Sequence, residues 1–241
     1  MSHTLLLRLK APLQSWGVQS RFSHRDTLRE PTKSGVIGLL GAALGMRRDD
    51  RVLLARLARL RFGVRVDREG LPLTDYHTIG GGTARGRPYG VATAAGATAG
   101  AVVSERECLM DADFLAGLES DDSPFLRELD AALANPVWPL YLGRRCFPPA
   151  VPPRIGICAG RLEQVLATWP WMGARGRKRT SPPGLRLVVE TNDTSGEMRY
   201  DCPLSFAVHD RSYGPRRVVT LFLTPEETAL KESDGCRISL V

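Results

Sequence analysis

The sequence predicts an α+β protein, with a ferredoxin-like or RRM-type domain at residues 1–147 and a smaller, β-rich part at residues 148–241. In the first part, apolar periodicity gives the order strand, helix, strand, strand, helix, strand, which is the ferredoxin-like pattern. A cluster of prolines at positions 148–153 then indicates a joint between two parts of the chain. Beyond this joint, strands are predicted at residues 185–190 and 217–223.

The first strand and the first helix have the clearest patterns. Leu5, Leu7 and Leu9 alternate with other residues, as expected of a strand that is buried on one face and partly exposed on the other. From Ser34 onwards, apolar residues recur at helical spacing until Gly45, which is typical of a helix end. The loop between strand and helix is polar and basic, so it is a candidate binding loop.

The remaining elements of the first part have weaker signals. Residues 80–100 are almost all small, so they form either a flexible linker or a long arm, such as a β-hairpin, that projects from the body. Around this stretch the sequence predicts a helical segment at 52–60, a hairpin of strands at 61–67 and 71–78, strand composition at 102–118, an amphipathic helix at 123–134 and a last strand at 140–142.

The composition favours an acidic partner. Lys and Arg total 33 against 26 Asp and Glu, which gives a net charge of +7 and an isoelectric point near 9.5. Such a balance is typical of proteins that bind nucleic acid or an anionic membrane. For the membrane alternative, neither a basic amphipathic helix nor a lipidation motif is present in the sequence.

Basic loops with nearby aromatic residues favour single-stranded RNA among the nucleic acids. Aromatic faces stack on bases while Arg and Lys hold the phosphates. The basic loops are at 21–33, 85–87, 144–145, 175–179 and 211–217, and the aromatic residues near them are Trp16, Tyr76, Tyr89 and Tyr213. The other tryptophans, Trp138, Trp169 and Trp171, have proline and apolar neighbours and are expected in the core or in an interface.

Several function classes lack their usual motifs. The five cysteines form no CxxC pair and no cluster with histidine at zinc spacing, so no metal and no cofactor are expected. The scattered cysteines also indicate a reducing compartment, and no signal-peptide pattern or membrane-spanning stretch is found. The sequence therefore predicts a cytoplasmic protein.

The start of the first helix is a candidate anion site. Free N–H groups and the positive end of the helix dipole attract a phosphate, and Lys33 and Ser34 would reinforce that attraction. A nucleotide-binding P-loop is a poor match, because residues 28–32 contain none of the glycines that let a backbone wrap around a phosphate. The alternative interpretation is a capped helix beside a solvated basic loop.

A catalytic interpretation has one candidate pair, Tyr76 and His77. A metal-independent ribonuclease can use a histidine as general acid or base, since RNA supplies its own 2′-hydroxyl nucleophile. Adjacent residues of a strand point to opposite faces, however, so both serve one site only if the strand ends there. The alternative is a partly exposed histidine that contacts a phosphate or the backbone.

Six sequence blocks together resemble the fifth family of CRISPR-associated proteins, as found in type I-E Cascade complexes. They are PLQSWG at 12–17, SRF at 20–22, PTKSGVIGLLGAALG at 31–45, DYHTIGG at 75–81, PLYLGRR at 139–145 and YGPRR at 213–217. The resemblance implies a repeat-associated (RAMP) fold with a β-hairpin thumb, here at about 78–104, that wedges against the guide where its handle meets its spacer. It also implies a subunit that binds the 5′ handle of the CRISPR RNA and caps one end of the Cascade backbone.

The same resemblance implies partners and an alternative activity. The partners would be the CRISPR RNA, the backbone and large subunits of Cascade and, through the complex, target DNA. Type I-E members resemble a non-catalytic binding subunit, whereas a type I-C branch of the family cuts the precursor RNA itself. That endoribonuclease activity, with His77 and Tyr76 as its candidates, is the alternative function.

The predicted RNA-binding residues come from the family blocks and from the basic loops. Blocks in the first part place Gln14, Ser15 and Trp16 near the handle together with Lys33 and Ser34, while Tyr76, His77 and Thr78 lie at the base of the thumb. The full predicted set is Gln14, Ser15, Trp16, Arg21, Arg25, Thr32, Lys33, Ser34, Tyr76, His77, Thr78, Arg144, Arg145, Arg216 and Arg217.

Overall fold

The computed structural model describes residues 2–18, 23–90, 100–173 and 184–224. Within these ranges the protein has four helices, namely α1 (Lys33–Leu44), α2 (Arg51–Ala58), α3 (Ser123–Ala134) and α4 (Leu162–Thr168). It also has thirteen strands: β1 (His3–Lys10), β2 (Leu13–Gln14), β3 (His24–Arg25), β4 (Arg61–Arg68), β5 (Leu71–Ile79), β6 (Gly82–Ala84), β7 (Arg87–Tyr89), β8 (Val102–Met110), β9 (Asp113–Ser120), β10 (Arg154–Ala159), β11 (Leu185–Thr191), β12 (Glu197–Ser205) and β13 (Ser212–Leu223). The predicted mixture of helices and strands is confirmed.

The main sheet has seven strands in the order β10-β1-β9-β4-β11-β13-β12, and every neighbouring pair is antiparallel. β10 pairs with β1 from His3↔Ala159 onwards, and β11 pairs with β4. The sheet therefore contains strands from both sides of residue 147, where the sequence predicts a joint. The division into parts 1–147 and 148–241 stays a prediction.

The second sheet has four strands, and its main part is a long ribbon formed by β5 and β8. β5 and β8 pair antiparallel over nine residue pairs, from Leu71↔Met110 to Ile79↔Val102, and the other edge of β8 is covered by β2 and β3. The short strands β6 and β7 pair with each other further along the same excursion of the chain. Residues 91–99, the middle of the predicted thumb, lie outside the described residues.

The predicted hairpin of residues 61–67 and 71–78 is wrong. β4 lies in the centre of the main sheet between β9 and β11, whereas β5 belongs to the ribbon. Burial explains the separation, because β4 is buried along nearly its whole length and β5 is exposed along nearly all of its own. The turn at Gly70, which packs against Leu109 and Ala112, directs the chain from one sheet into the other.

The predicted strand at residues 140–142 is also wrong, because this segment is a loop that lies beside α1. Leu142 is fully buried in the core, which accounts for the short apolar run in the sequence. Its backbone bonds go to Ser15 and Phe147 and to no sheet neighbour. The last strand of the predicted order is instead β10, which begins at Arg154.

Both faces of the main sheet are covered by helices. Leu5, Leu7 and Leu9 of β1 belong to a core formed with α1, α2 and α3, whereas Leu6 points into a second core formed with α4. The expectation that β1 is partly exposed on one face is therefore wrong in its middle, where residues 4–7 are all buried. Among the described residues, no helix combines the length and the apolar character needed to cross a membrane.

Candidate nucleic-acid interface

A groove runs along α1, and we call it the α1 groove. Its floor is the side of α1 that carries Ser34 to Ala42, and one wall is the loop at residues 138–145. The other wall is the turn between β12 and β13 together with the start of β13, at residues 206–213. The groove has a polar half of about 400 Å³ near the start of α1 and an aromatic half of about 300 Å³ further along. The two halves share the residues Ser34, Gly143, Arg211 and Tyr213.

The loop wall is fixed to both ends of α1. At the end of the helix, the N–H groups of Val137 and Trp138 donate to the carbonyl oxygens of Ala43 and Ala42. Near its start, Gly143 lies so close to Ser15 that an added Cβ would be 1.7 Å from the Ser15 carbonyl oxygen. Gly143 also has a φ of 88°, which favours glycine, so a side chain here would displace the wall.

Arg144 is the most informative residue of the polar half. Its Nη2 donates to the carbonyl oxygens of Glu107, at 2.9 Å, and Arg25, while its Nη1 is buried without any hydrogen-bond partner. No carboxylate pairs with this guanidinium within the part of the chain that the structure describes. Burial lowers the pKa of Arg144, because removing the guanidinium from water disfavours its charged form. A partly buried, uncompensated guanidinium is suited to an anionic ligand such as a phosphate.

Other charged side chains in the polar half have both signs. Arg25 and Arg211 are exposed, and the carboxylates of Asp26 and Asp201 also line the space. Asp201 is already occupied, since Arg216 donates two hydrogen bonds to it. The polar half therefore combines three arginines with two carboxylates, of which Asp201 is neutralised by the buried guanidinium of Arg216 and Asp26 accepts a hydrogen bond from the Val18 N–H.

The start of α1 is closed to an external anion at two of its N–H groups. The N–H of Lys33 donates to Asp201 at 2.8 Å, and the N–H of Gly35 donates to the hydroxyl of Thr32. The ammonium of Lys33 is also engaged, with Glu190 oxygens at 2.8 and 3.0 Å. Thr32, Lys33 and Arg216 are thus buried and bonded internally, and their predicted contact with RNA stays a prediction; Ser34 lines both halves of the groove.

Gln14, Ser15 and Trp16 form the support of the polar half. The amide of Gln14 donates to the carbonyl oxygens of Leu9 and Ala112, and its oxygen accepts a hydrogen bond from the Trp16 indole. Trp16 is 1% exposed, and its ring lies directly against the first turn of α1. Of the three, Ser15 is the one that lines the polar half.

Tyr76, His77 and Thr78 lie on β5 and are not among the residues that line the α1 groove. Tyr76 is 67% exposed, and the Nδ1 of His77 is 3.6 Å from a carboxylate oxygen of Asp75. The strand continues to Ile79, so Tyr76 and His77 point to opposite faces of the ribbon. Their role in RNA binding at the base of a thumb stays a prediction.

The structure places the other predicted residues in three different surroundings. Arg145 is exposed and lines the aromatic half. Arg217 donates to the carbonyl oxygens of Thr194 and Gly196 and thereby holds the turn before β12. Arg21 lies outside the described residues.

The predicted set omitted several residues that line the groove. Trp138, expected in the core or in an interface, is 45% exposed there, and Arg211 and Tyr213 belong to a loop whose basic composition was the available signal. The other lining residues carry no signal of their own in the sequence, because isolated aromatic or basic residues look alike whether or not they share a groove. The further lining residues of this kind are Arg48, Tyr141, Tyr200 and Phe206.

No group of three or more His, Cys, Asp and Glu side chains that would hold a metal occurs among the described residues. The fold and the groove define a mixed α/β protein, built mostly of strands, with an arginine-rich and aromatic surface suited to an anionic polymer. The family model described as CRISPR-associated protein (Cas_Cas5) matches residues 4–219. The chain belongs to this family, and the family expected from the sequence blocks is confirmed.

Named relatives agree with this assignment. The chain is 37% identical over 205 residues to the "CRISPR system Cascade subunit CasD" of Escherichia coli (strain K12), covering 80% of this chain and 88% of that protein. A solved structure described as "Crystal structure of Cas protein" is 38% identical with a TM-score of 0.71, covering 93% of this chain and 97% of the other. A chain of a "CRISPR RNA-guided surveillance complex" is 37% identical with a TM-score of 0.75, covering 93% and 92%.

Proposed function

We propose that this protein is a CRISPR RNA-binding subunit of a type I-E Cascade complex, which holds the 5′ handle of the guide in the α1 groove and caps one end of the backbone. The observation that carries this proposal is the guanidinium of Arg144, which lines the polar half with one buried nitrogen unbonded and with no carboxylate partner among the described residues. A phosphate of the RNA backbone supplies the missing negative charge.

The names of the relatives support the partners. The Escherichia coli relative is named as a Cascade subunit, and a solved relative is part of an RNA-guided surveillance complex. By this similarity, CRISPR RNA and the backbone and large subunits are the direct partners, and target DNA is met through the assembled complex. A cytoplasmic location accompanies this role.

The topology supports a ferredoxin-like RAMP core with a thumb. Within the main sheet, β10, β1, β9 and β4 are consecutive, with α1 following β1 and α3 following β9. This is the strand order of the ferredoxin-like pattern, in which the first and third strands lie at the centre. The ribbon of β5 and β8, with the residues between them, is the proposed thumb.

In our proposal this subunit binds the RNA and does not cut it. Tyr76 and His77 are the candidates for the alternative, a metal-independent endoribonuclease, and the continuous pairing of β5 separates them onto two faces. Incubation of the full-length protein with labelled repeat RNA in EDTA tests the alternative directly. Specific cleavage that disappears in His77→Ala would replace the binding proposal with the nuclease.

Binding itself is tested with a labelled handle RNA, using both the full-length protein and the assembled complex. Affinity is expected to fall steeply with salt, because phosphate contacts release counterions, with a slope of about −0.7 per phosphate for single strands. An RNA of the same length and scrambled sequence is the control for specificity. Equal, salt-insensitive or absent binding of the two RNAs in both preparations would contradict the proposal.

A further inference from the structure

We propose that the aromatic half of the α1 groove is a pocket for one unpaired base of the bound RNA, whose neighbouring phosphate lies at Arg144. This inference rests on the proposed function, and it adds a separate site with its own chemistry. It assigns the polar half to the backbone of the strand and the aromatic half to a base. The residues that carry it are Trp138, Tyr141, Phe206 and Tyr213, together with Gly38 of α1.

The first step is the exposure of large aromatic side chains inside a concave surface. Trp138 is 45% exposed and Tyr213 is 38% exposed, and Tyr141 and Phe206 line the same space. Aromatic faces in a groove provide stacking surfaces for unpaired bases of any sequence. The space of about 300 Å³ is a cleft between two walls, so a base entering it is enclosed from both sides.

The second step is the floor of the cleft. A Cβ added at Gly38 would have the ring of Phe206, at 4.0 Å, as its nearest neighbour, so the space above this residue is open. By contrast, a Cβ at Gly35, one turn earlier, would be 2.8 Å from the ring of Trp16. Gly35 and Gly41 also line this half but pack against Trp16 and Met46, so the open part of the floor is at Gly38, where a flat ring can approach the backbone.

The third step is charge. Arg48, Arg145 and Arg211 line the aromatic half, and none of them pairs with a carboxylate in the ranges that the structure describes. No described residue lining this half is acidic. A positive, aromatic cleft is complementary to a nucleotide, because the rings accept the base while the arginines accept the flanking phosphates.

Continuity with the polar half selects RNA over a protein segment as the occupant. Ser34, Gly143, Arg211 and Tyr213 line both halves, so one strand reaches the phosphate site and the base site without leaving the groove. An apolar helix of another subunit would fit the aromatic residues and leave the three arginines unpaired. The neighbouring Arg144 site, with its uncompensated charge, extends the same preference for phosphates.

The experiment uses handle RNAs in which each base in turn is replaced by the fluorescent base 2-aminopurine, bound to the full-length protein within the assembled complex. Stacking on an aromatic ring quenches this fluorophore, so one position is expected to be quenched on binding. Trp138→Ala and Gly38→Leu are expected to abolish that quenching and to weaken RNA binding about 5-fold to 100-fold, the range of one lost stacked base. Ala131→Leu, which adds the same side chain to an exposed face of α3, is the matched control.

The outcomes separate this pocket from the proposed function. Strong RNA binding with no quenched position, or quenching that survives both variants, would overturn the pocket and leave the handle-binding role intact. Complexes that contain this subunit and bind no handle RNA would overturn the proposed function instead. Unchanged RNA affinity in Gly38→Leu, with loss of another subunit from the complex, would assign the cleft to a protein partner. Thermal unfolding of each variant checks that the fold is retained.

Discussion

The indole ring of Trp16 lies against the backbone of Gly35, so closely that a Cβ at that glycine would be 2.8 Å from a ring carbon. This contact joins the loop after β2 to the first turn of α1. It brings together two separate sequence blocks, one with a tryptophan and one with a glycine after a Lys-Ser pair. The contact fixes the floor of the groove at the end that Ser34 and Ser15 line.

Gly35→Ala is predicted to destabilise the protein by about 1–3 kcal/mol, because the added methyl group overpacks the contact with Trp16. Gly38→Ala, one turn later on the same helix, is the matched control. Its Cβ meets open space, so it is expected to be neutral or to stabilise the helix by up to about 1 kcal/mol. Urea unfolding measures both variants, and equal effects would contradict the packing described.

Trp16→Ala is predicted to cost about 3–5 kcal/mol of stability, as expected for a large aromatic residue in a core. The ring is 1% exposed, so its loss leaves a cavity beneath α1. Chemical denaturation measures the loss, and RNA binding is then compared at equal concentrations of folded protein. A variant with full stability and reduced RNA affinity would show instead that Trp16 contacts the strand directly.

The buried ion pair between Lys33 and Glu190 gives a third prediction. Lys33→Met leaves the carboxylate of Glu190 without its cation. The cost for a fully buried pair is about 3–5 kcal/mol. Because the Glu190 side chain is 20% exposed and water can solvate it, the loss of stability is expected to fall below that range. Lys33→Met combined with Glu190→Gln is expected to recover part of that loss. A double-mutant cycle in urea measures the coupling. An RNA affinity that falls further than the folded fraction would show that Lys33 also contacts the strand.

Arg144 gives the prediction closest to the proposed function. Arg144→Ala is expected to weaken handle RNA binding by at least about 10-fold, the value of one charge-assisted hydrogen bond, and to reduce the salt slope by about 0.7. Arg144→Lys keeps the charge without the guanidinium fork, so its RNA affinity is expected to lie between those of the wild type and Arg144→Ala. Arg127→Ala, on an exposed face of α3 outside the groove, is the matched control. Equal affinities for the Arg144 and Arg127 variants would contradict the assigned phosphate site.

The ion pairs of Glu30 with Arg186 and Arg199 are expected to make the protein less stable in acid. Burial works to raise its pKa, but hydrogen bonds from Arg186 and Arg199 lower the pKa of Glu30 overall. A carboxyl with a lowered pKa in the folded state stabilises the protein above its unfolded pKa of about 4.3, and this stabilisation is lost as the pH falls through the folded value.

Glu30→Gln is therefore expected to cost about 1.5–3 kcal/mol at neutral pH, with the difference from the wild type shrinking below about pH 4. Unfolding measured at a series of pH values between neutrality and acid tests this dependence. Glu128→Gln, at an exposed position of α3, is the control. A difference that is constant across the whole pH range would contradict a role for the Glu30 charge.

The sequence by itself determined the local elements and the family. Alternating leucines predict β1, helical spacing from Ser34 to Gly45 predicts α1, and the six sequence blocks identify the family, because each of these signals lies within a few consecutive residues. The same local signals predicted the strands at 61–67 and 71–78 correctly but paired them wrongly as a hairpin, and they predicted a strand at 140–142 where the chain is a loop. Pairing partners and burial decide whether a short apolar run is a strand, and neither is written in the run itself.

The tertiary structure alone decided which residues share the groove. It showed that Asp201 accepts a hydrogen bond from the Lys33 N–H at the start of α1, although the two residues are 168 positions apart in the sequence. It also placed Trp138 opposite Phe206 and Tyr213 in one cleft, and left Arg144 without a carboxylate among the described residues. These relationships depend on contacts between distant segments, and the free energy of burying and pairing charges, summed over the whole fold, sets them.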